Sequence, residues 1–204
     1  MNSKRVYISA DYSEADGDRD VIDVLHSWGA DNKHKTDFVD TAEVVSASVS
    51  KDADCRACDL KAEFNRQINA SSAVIIVIGD KTASRTAGSS CERSNKDWVF
   101  CDCTPYKDNT NGKKQCKFRS TSKVRPNEDY GNINSCSYIE HEFRQAKKKG
   151  KNIIVVYNSL YRQPLWLPNY MSGYGDSAWP FWKKNDYGKK VGDYESLKKA
   201  LDFD

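Results

Sequence analysis

The sequence predicts an α/β fold in which a mostly parallel sheet carries helices on both faces. Two continuous apolar runs support this prediction, AVIIVIG at 73–79 and NIIVVY at 152–157, together with amphipathic helical segments that lie between the strand candidates. Apolar runs of this kind are typical of strands that are covered on both faces. Strands that alternate with helices form parallel sheets, because each helical crossover returns the chain to the same edge.

The N-terminal elements begin this alternation. RVYISA at 5–10 predicts a first strand, and TDFVD at 36–40 predicts a second one. VIDVLHSWG at 21–29 has apolar residues at helical spacing and a terminal glycine, so it predicts the helix between them. DLKAEFNRQINA at 59–70 predicts the helix that precedes the buried strand AVIIVIG.

The C-terminal half combines regular and irregular segments. Residues 86–136 are polar, hold five of the seven cysteines and lack periodicity, which predicts a Cys-rich insertion. The alternation resumes with a helix at 137–150. An aromatic, loop-rich extension follows at 159–204 and ends in a helix at 193–203. We therefore expect a single domain over 1–204.

Composition excludes several classes of protein. The chain has 204 residues and a net charge of +3, which is too small to indicate nucleic acid as the partner. No apolar run could span a bilayer, and the N-terminus has no signal-peptide core, so we expect a cytoplasmic protein. The usual glycine-rich nucleotide-binding, zinc-protease and nucleophile-elbow motifs are absent from the sequence.

The cysteines have irregular spacing. Cys55 and Cys58 form a C-x-x-C pair and Cys101 and Cys103 form a C-x-C pair, but no second C-x-x-C is present. Four thiolates could hold a structural zinc ion and stabilise a polar insertion. Free thiols are the simpler interpretation in a cytoplasmic protein, so no cofactor is predicted.

The helix at 137–150 carries two glutamates that flank a histidine. Its core side is formed by three apolar residues at helical spacing, Ile139, Phe143 and Ala146. Glu140 precedes Arg144 by four residues, which predicts an ion pair on the helix surface. His141 points away from the core side and is predicted to be solvated. Glu142 lies at the core boundary and has no ion-pair partner on its own helix, which makes it the candidate for chemistry.

Three segments carry a resemblance to a known family. KRVYISADY, AVIIVIG and YIEHEFRQAKKKGKNIIVVY, within residues 4–85 and 137–158, resemble TIR-like domains, particularly those of bacterial Thoeris anti-phage systems. The resemblance matches Glu142, and not Glu140, to the catalytic glutamate of the family. The sequence departs from the family at Tyr138, where tryptophan is common, and in the long insertion at 86–136.

The resemblance implies cleavage of NAD at the nicotinamide–ribose bond, with NAD as substrate rather than cofactor. Water as acceptor would give ADP-ribose, and another nucleophile would give a cyclic or conjugated nucleotide that activates a downstream effector. The residues expected to bind the substrate follow the strand ends or flank Glu142: Ala10, Asp11, Tyr12, Phe38, Asp40, Asp80, Arg85 and Tyr138. Assembly into a homo-oligomer is compatible with this interpretation.

Two alternatives remain open at the level of sequence. The chain could be a non-catalytic TIR-type binding or scaffold module that recognises a partner through the Cys-rich insertion. It could also be a related enzyme that transfers the nucleoside to a different acceptor. The glutamate at position 142 favours an enzyme, whereas the insertion favours the binding module.

Overall fold

The computed structural model describes residues 4–11, 18–30, 36–40, 63–84, 107–108, 114–115 and 137–202. The strands in chain order are β1 (Lys4–Ser9), β2 (Thr36–Asp40), β3 (Ala73–Ile78), β4 (Lys107–Asp108), β5 (Lys114–Gln115), β6 (Asn152–Tyr157), β7 (Trp179–Pro180), β8 (Trp182–Lys184) and β9 (Lys190–Gly192). The helices are α1 (Asp18–Ala30), α2 (63–70), α3 (Tyr138–Lys148) and α4 (Tyr194–Ala200). Each strand and helix predicted from the sequence has a counterpart among these elements, and the helix predicted at 59–70 is described from residue 63 onward.

Within the described ranges, the main sheet has five strands in the order β2-β1-β3-β6-β7, and every pair of neighbours is parallel. β3 lies at the centre, and all six of its residues are buried. When the separate β4–β5 pair is set aside, this order is the 2-1-3-4-5 order of flavodoxin-like folds. The chain changes direction across the sheet between β1 and β3, and ligands of such folds bind at the carboxyl ends of the strands there. The predicted α/β class is confirmed.

Two apolar cores cover the faces of the sheet, because successive side chains of a strand point to opposite faces. The α1-side core contains residues of α1, α4 and alternate strand positions: Val6, Ile8, Val21, Leu25, Phe38, Ile75, Val77, Val156, Phe181, Trp182, Leu197 and Leu201. The α3-side core contains residues of α2, α3 and the other strand positions: Tyr7, Phe64, Ile68, Val74, Ile76, Ile78, Ile139, Phe143, Ala146, Val155 and Tyr157.

Local interactions and backbone conformation explain where helix α3 begins and ends. The Ser137 side chain accepts a hydrogen bond of 3.0 Å from the backbone N–H of Glu140, which satisfies one of the free donors of the first turn. At the other end, Gly150 adopts a φ of 61°, a conformation that favours glycine and ends the helix. The chain then enters β6 two residues later.

The C-terminal segment contributes more regular structure than the sequence indicates. β7 adds a parallel strand to the sheet beside β6, and β8 pairs with β9 in an antiparallel hairpin. Phe181 and Trp182 are buried in the α1-side core together with Leu197 of α4. β7 has only two residues and includes a proline, so no run of strand-forming residues marks it in the sequence.

Much of the predicted insertion lies outside the described residues. Within it, only the antiparallel β4–β5 pair is described, and only as backbone. All seven cysteines lie outside the described residues, so the choice between free thiols and zinc stays a prediction. Among the helices that the structure describes, none combines the length and the apolar character that crossing a membrane requires.

Candidate functional site

Glu142 belongs to α3, and its side chain points into the protein toward β1. Its side chain is buried, with the residue 1% exposed. The Tyr7 hydroxyl donates to Glu142 Oε1 at 2.8 Å, and the Ser9 hydroxyl donates to Glu142 Oε2. Both donors are fully buried residues of β1. A carboxylate that is removed from water requires such donors, because its desolvation is otherwise very costly.

The alternation of side chains along a β-strand explains why both donors point toward Glu142. Tyr7 and Ser9 are two residues apart on β1, so their side chains point to the same face of the sheet. Ser9 is the last residue of β1 and pairs with Ile76 of β3. Glu142 therefore lies beside the carboxyl end of β1, at the β1–β3 switch point where flavodoxin-like folds bind ligands.

Sequence reasoning missed both donors, although the sequence contains a signal for them. Within the buried run VYIS, Tyr7 and Ser9 are the polar positions and share one face. Two buried hydroxyls on one face of a central strand need polar partners from the helix that packs there. Glu142 is that partner, 135 residues further along the chain from Tyr7.

The sequence also predicts the positions of Glu140 and His141, and the structure confirms only the prediction for Glu140. The predicted ion pair is confirmed, since Arg144 Nη2 lies 2.5 Å from Glu140 Oε1. The predicted solvation of His141 is wrong. His141 is only 9% exposed, and its Nε2 forms a hydrogen bond of 3.0 Å with Asn65 Oδ1 of α2.

Packing between two helices explains the burial of His141. Tyr138, His141 and Gln145 lie along one side of α3 at helical spacing, and this side faces α2. The Tyr138 ring meets the Phe64 ring edge-on with 5.6 Å between the centroids. Gln145 Nε2 donates to Asn69 Oδ1 at 2.8 Å. α3 thus has two buried sides, one against the sheet and one against α2. The prediction for His141 is wrong because it assumes that only the side facing the sheet is buried.

Some predicted substrate-binding residues lie on the α1 side of the sheet, across from Glu142. Ala10 and Phe38 are part of the α1-side core. Asp40 is 5% exposed, and its Oδ2 lies 2.7 Å from His26 Nε2 of α1. The structure therefore brings none of these three residues to the Glu142 carboxylate, and substrate contact by them stays a prediction.

The remaining predicted residues have other positions. Tyr138 lies one helical turn before Glu142, with its ring against α2. Asp11 is partly exposed just beyond β1, and Asp80 is exposed in the turn after β3. Both aspartates follow strands that meet at the switch point. Tyr12 and Arg85 lie outside the described residues, so their roles stay predictions.

A second polar cluster lies at the carboxyl ends of β3 and β6, and sequence reasoning missed it. Asn158 Nδ2 donates to Asp18 Oδ1 at 2.9 Å, and the Trp182 indole N–H donates to Asn158 Oδ1 at 2.9 Å. Asp18 is fully buried at the start of α1, where the helix dipole favours an anion. A Cβ atom at Gly79 would lie 3.1 Å from Asp18 Oδ1, so glycine permits the close approach of this carboxylate.

Tyr157 ends β6 on the α3 side of the sheet. Burial raises the pKa of its hydroxyl above the usual 10.0, and the nearby Arg162 charge offsets part of that rise. Tyr157 is therefore a neutral phenol at physiological pH. Within the residues that the structure describes, no group of three or more His, Cys, Asp or Glu side chains could hold a metal ion.

The fold and this site agree with the TIR-like resemblance of the sequence. A mostly parallel sheet with a glutamate near the carboxyl edge of its strands is what the TIR-like resemblance implies. Residues 7–87 match the family described as Thoeris protein ThsB, TIR-like domain. Residues 7–87 are therefore similar to the TIR-like domain of that family. No curated protein matches the chain.

The matched range covers part of the site. It includes Tyr7 and Ser9 of β1 together with α1, β2, α2 and β3. Helix α3 and Glu142 lie beyond it. The link between Glu142 and the matched region is therefore structural, through the two hydrogen bonds from β1.

Proposed function

We propose that this chain is an NAD-consuming enzyme that cleaves the nicotinamide–ribose bond, with Glu142 as the catalytic carboxylate. One observation carries the proposal: the Glu142 carboxylate is held by the Tyr7 and Ser9 hydroxyls at the carboxyl end of β1. The similarity of residues 7–87 to the TIR-like domain of the Thoeris protein ThsB supports it, because the family resemblance implies NAD cleavage. The product would be ADP-ribose or a derived cyclic or conjugated nucleotide that activates a partner effector.

The chemistry requires little more than one carboxylate. Nicotinamide leaves as a neutral molecule, so a strong general acid is unnecessary. The ribose carbon acquires positive charge as the bond breaks, as in the cleavage of glycosides. An ionised carboxylate held in a buried site stabilises that charge and is itself fixed before the reaction begins.

The hydrogen bonds of Glu142 suggest how substrate would be held. In the structure, one hydroxyl group donates to each carboxylate oxygen. The ribose of NAD also carries hydroxyl donors, so it could share the carboxylate with Tyr7 and Ser9. Each carboxylate oxygen has more than one acceptor site, so ribose binding does not require both protein donors to leave. Water or a second nucleophile would then attack the ribose carbon.

The test compares two glutamates of the same helix. We expect the wild-type protein to release nicotinamide from NAD, and Glu142→Gln to lower the rate by about 100-fold or more. Glu140→Gln is the matched control, because Glu140 pairs with Arg144 on the helix surface and should retain activity. A Glu142→Gln variant as active as the wild type would exclude the proposed role.

The rival interpretation, a non-catalytic binding module, has its own outcome in this test. A carboxylate that is 1% exposed and bonded to two hydroxyls is also what a structural glutamate would show. If the wild-type protein leaves NAD intact when purified and in phage-infected cells, the binding module is favoured. The measurement in infected cells compares the total NAD of cells that carry the wild-type protein with that of cells that carry Glu142→Gln.

A further inference from the structure

A pocket lies away from Glu142, near the C-terminal end of the described residues. It has a volume of about 400 Å³. Its walls come from the ends of β6 to β8 and the start of α4: Leu160, Tyr161, Trp179, Pro180, Trp182, Lys183, Lys184, Asp193 and Ser196. Trp182 belongs to the α1-side core, and Leu160 and Trp179 pack against that core. Glu142 contacts β1 from the opposite face of the sheet, so the two sites are separate.

Trp182, one aromatic residue of the pocket wall, is fixed in position. The Trp182 indole N–H donates to Asn158 Oδ1, which is itself bonded to Asp18. The Phe181 ring meets the Trp182 ring edge-on, with 4.9 Å between the centroids. Side chains held in this way lose little conformational entropy when a ligand binds. Trp179 and the exposed Tyr161 add two further aromatic surfaces.

Lys184 lines the pocket, and Lys190 lies next to it on the neighbouring strand. Lys184 and Lys190 are direct cross-strand partners in the β8–β9 hairpin, an arrangement of like charges that is unfavourable. Lys190 Nζ lies 4.1 Å from the centroid of the Trp182 ring. In the part of the chain that the structure describes, neither of these two lysines has an ion-pair partner. A bound anion would relieve their repulsion.

Among the pocket-lining residues that the structure describes, the carboxylate of Asp193 is already paired. Asp193 Oδ1 lies 2.7 Å from Lys183 Nζ, and the Ser196 hydroxyl donates to Asp193 Oδ2 at 2.6 Å. Burial raises the pKa of Asp193, but the hydrogen bonds from Lys183 and Ser196 outweigh burial and lower it overall. Asp193 thus neutralises Lys183 and leaves the Lys184–Lys190 pair as the unbalanced charge.

We propose that this pocket binds a nucleoside phosphate, with the base against Trp179 and Tyr161 and the phosphates at Lys184 and Lys190. Aromatic side chains stack on nucleobases, and lysines bind phosphate through charge-assisted hydrogen bonds. The volume lies within the range of small-molecule sites, about 300–1,000 Å³. The inference is independent of NAD cleavage at Glu142, because the two sites share no residue.

The test measures binding of ADP to the full-length protein by isothermal titration calorimetry. We expect ADP to bind more tightly than adenosine or inorganic phosphate alone, because only ADP uses both halves of the pocket. Lys184→Gln combined with Lys190→Gln should weaken ADP binding about tenfold or more, because the loss of even one of the two charged hydrogen bonds would have an effect of this size. Trp179→Leu should weaken ADP and adenosine binding alike.

The control removes the same charge elsewhere. Lys148→Gln combined with Lys149→Gln changes two exposed lysines at the end of α3 and should leave ADP binding unchanged. Thermal unfolding of each variant confirms that it folds. The proposal is overturned if ADP does not bind or if the Lys184 and Lys190 changes leave its affinity intact. Tighter binding of a short single-stranded oligonucleotide through the same lysines would replace it with a nucleic-acid surface.

Discussion

At the residue scale, the Glu142 cluster joins two parts of the chain that lie far apart in sequence. The carboxylate comes from α3, and its donors Tyr7 and Ser9 come from β1. All three residues are buried, so the hydrogen bonds are shielded from competing water. The cluster is therefore expected to contribute to stability as well as to the proposed chemistry.

Removal of one donor should reveal this contribution. We expect Tyr7→Phe to lower the free energy of unfolding by about 1–3 kcal/mol, because Glu142 Oε1 then loses a hydroxyl donor inside the protein. Urea denaturation measures the change, and Tyr187→Phe is the control because Tyr187 is 88% exposed. In a Glu142→Gln background the same substitution should cost less. Equal costs in both backgrounds would show that Tyr7 and Glu142 are not coupled.

The same cluster shows what a single sequence can and cannot predict about a site. Helical spacing distinguishes Glu142 from Glu140, because Glu140 finds Arg144 one turn away. Helical spacing cannot find Tyr7 or Ser9, because their contact with Glu142 depends on tertiary structure. His141 was misplaced for the same reason, since its partner Asn65 lies on another helix.

At the element scale, α1 packs closely on β2 through a glycine. A Cβ atom at Gly29 would lie 2.8 Å from Phe38 Cδ2 and 2.9 Å from the Thr36 carbonyl oxygen. Both distances are shorter than normal contacts, and one of the atoms belongs to the backbone and cannot move freely. Glycine at this position therefore sets how near α1 can lie to the second strand.

Substitution of Gly29 by alanine should have the opposite effect on stability from the one that helix propensity predicts. Alanine normally stabilises a helix relative to glycine by about 1 kcal/mol. We expect Gly29→Ala instead to destabilise the protein by about 1–3 kcal/mol, because the methyl group displaces Phe38 and strains β2. Thermal unfolding measures the effect, with Ser27→Ala on the exposed side of α1 as the control. A stabilised Gly29→Ala variant would contradict the close packing.

At the scale of the whole molecule, predictability follows the strength of local patterns. β3 and β6 were predicted because their residues are apolar throughout, as central strands require. Their parallel order follows from the helices between them. β7 and the β8–β9 hairpin were not predicted, because strands of two or three residues carry no periodicity. Their positions depend on Phe181 and Trp182, which enter the α1-side core from the C-terminal segment.

This packing leads to a prediction about cooperativity. Leu197 of α4 is 2% exposed in the α1-side core, together with residues of β1, β3 and β6. We expect Leu197→Ala to lower the free energy of unfolding by about 2–5 kcal/mol, because it leaves a cavity in a shared core. Lys199→Ala, on the exposed side of α4, should have little effect.

The prediction that residues 1–204 form one domain depends on the same contacts. Tryptophan fluorescence and far-UV circular dichroism should then report one coincident transition for Leu197→Ala, as for the wild type. Two separated transitions would show instead that the C-terminal segment unfolds independently of the parallel sheet.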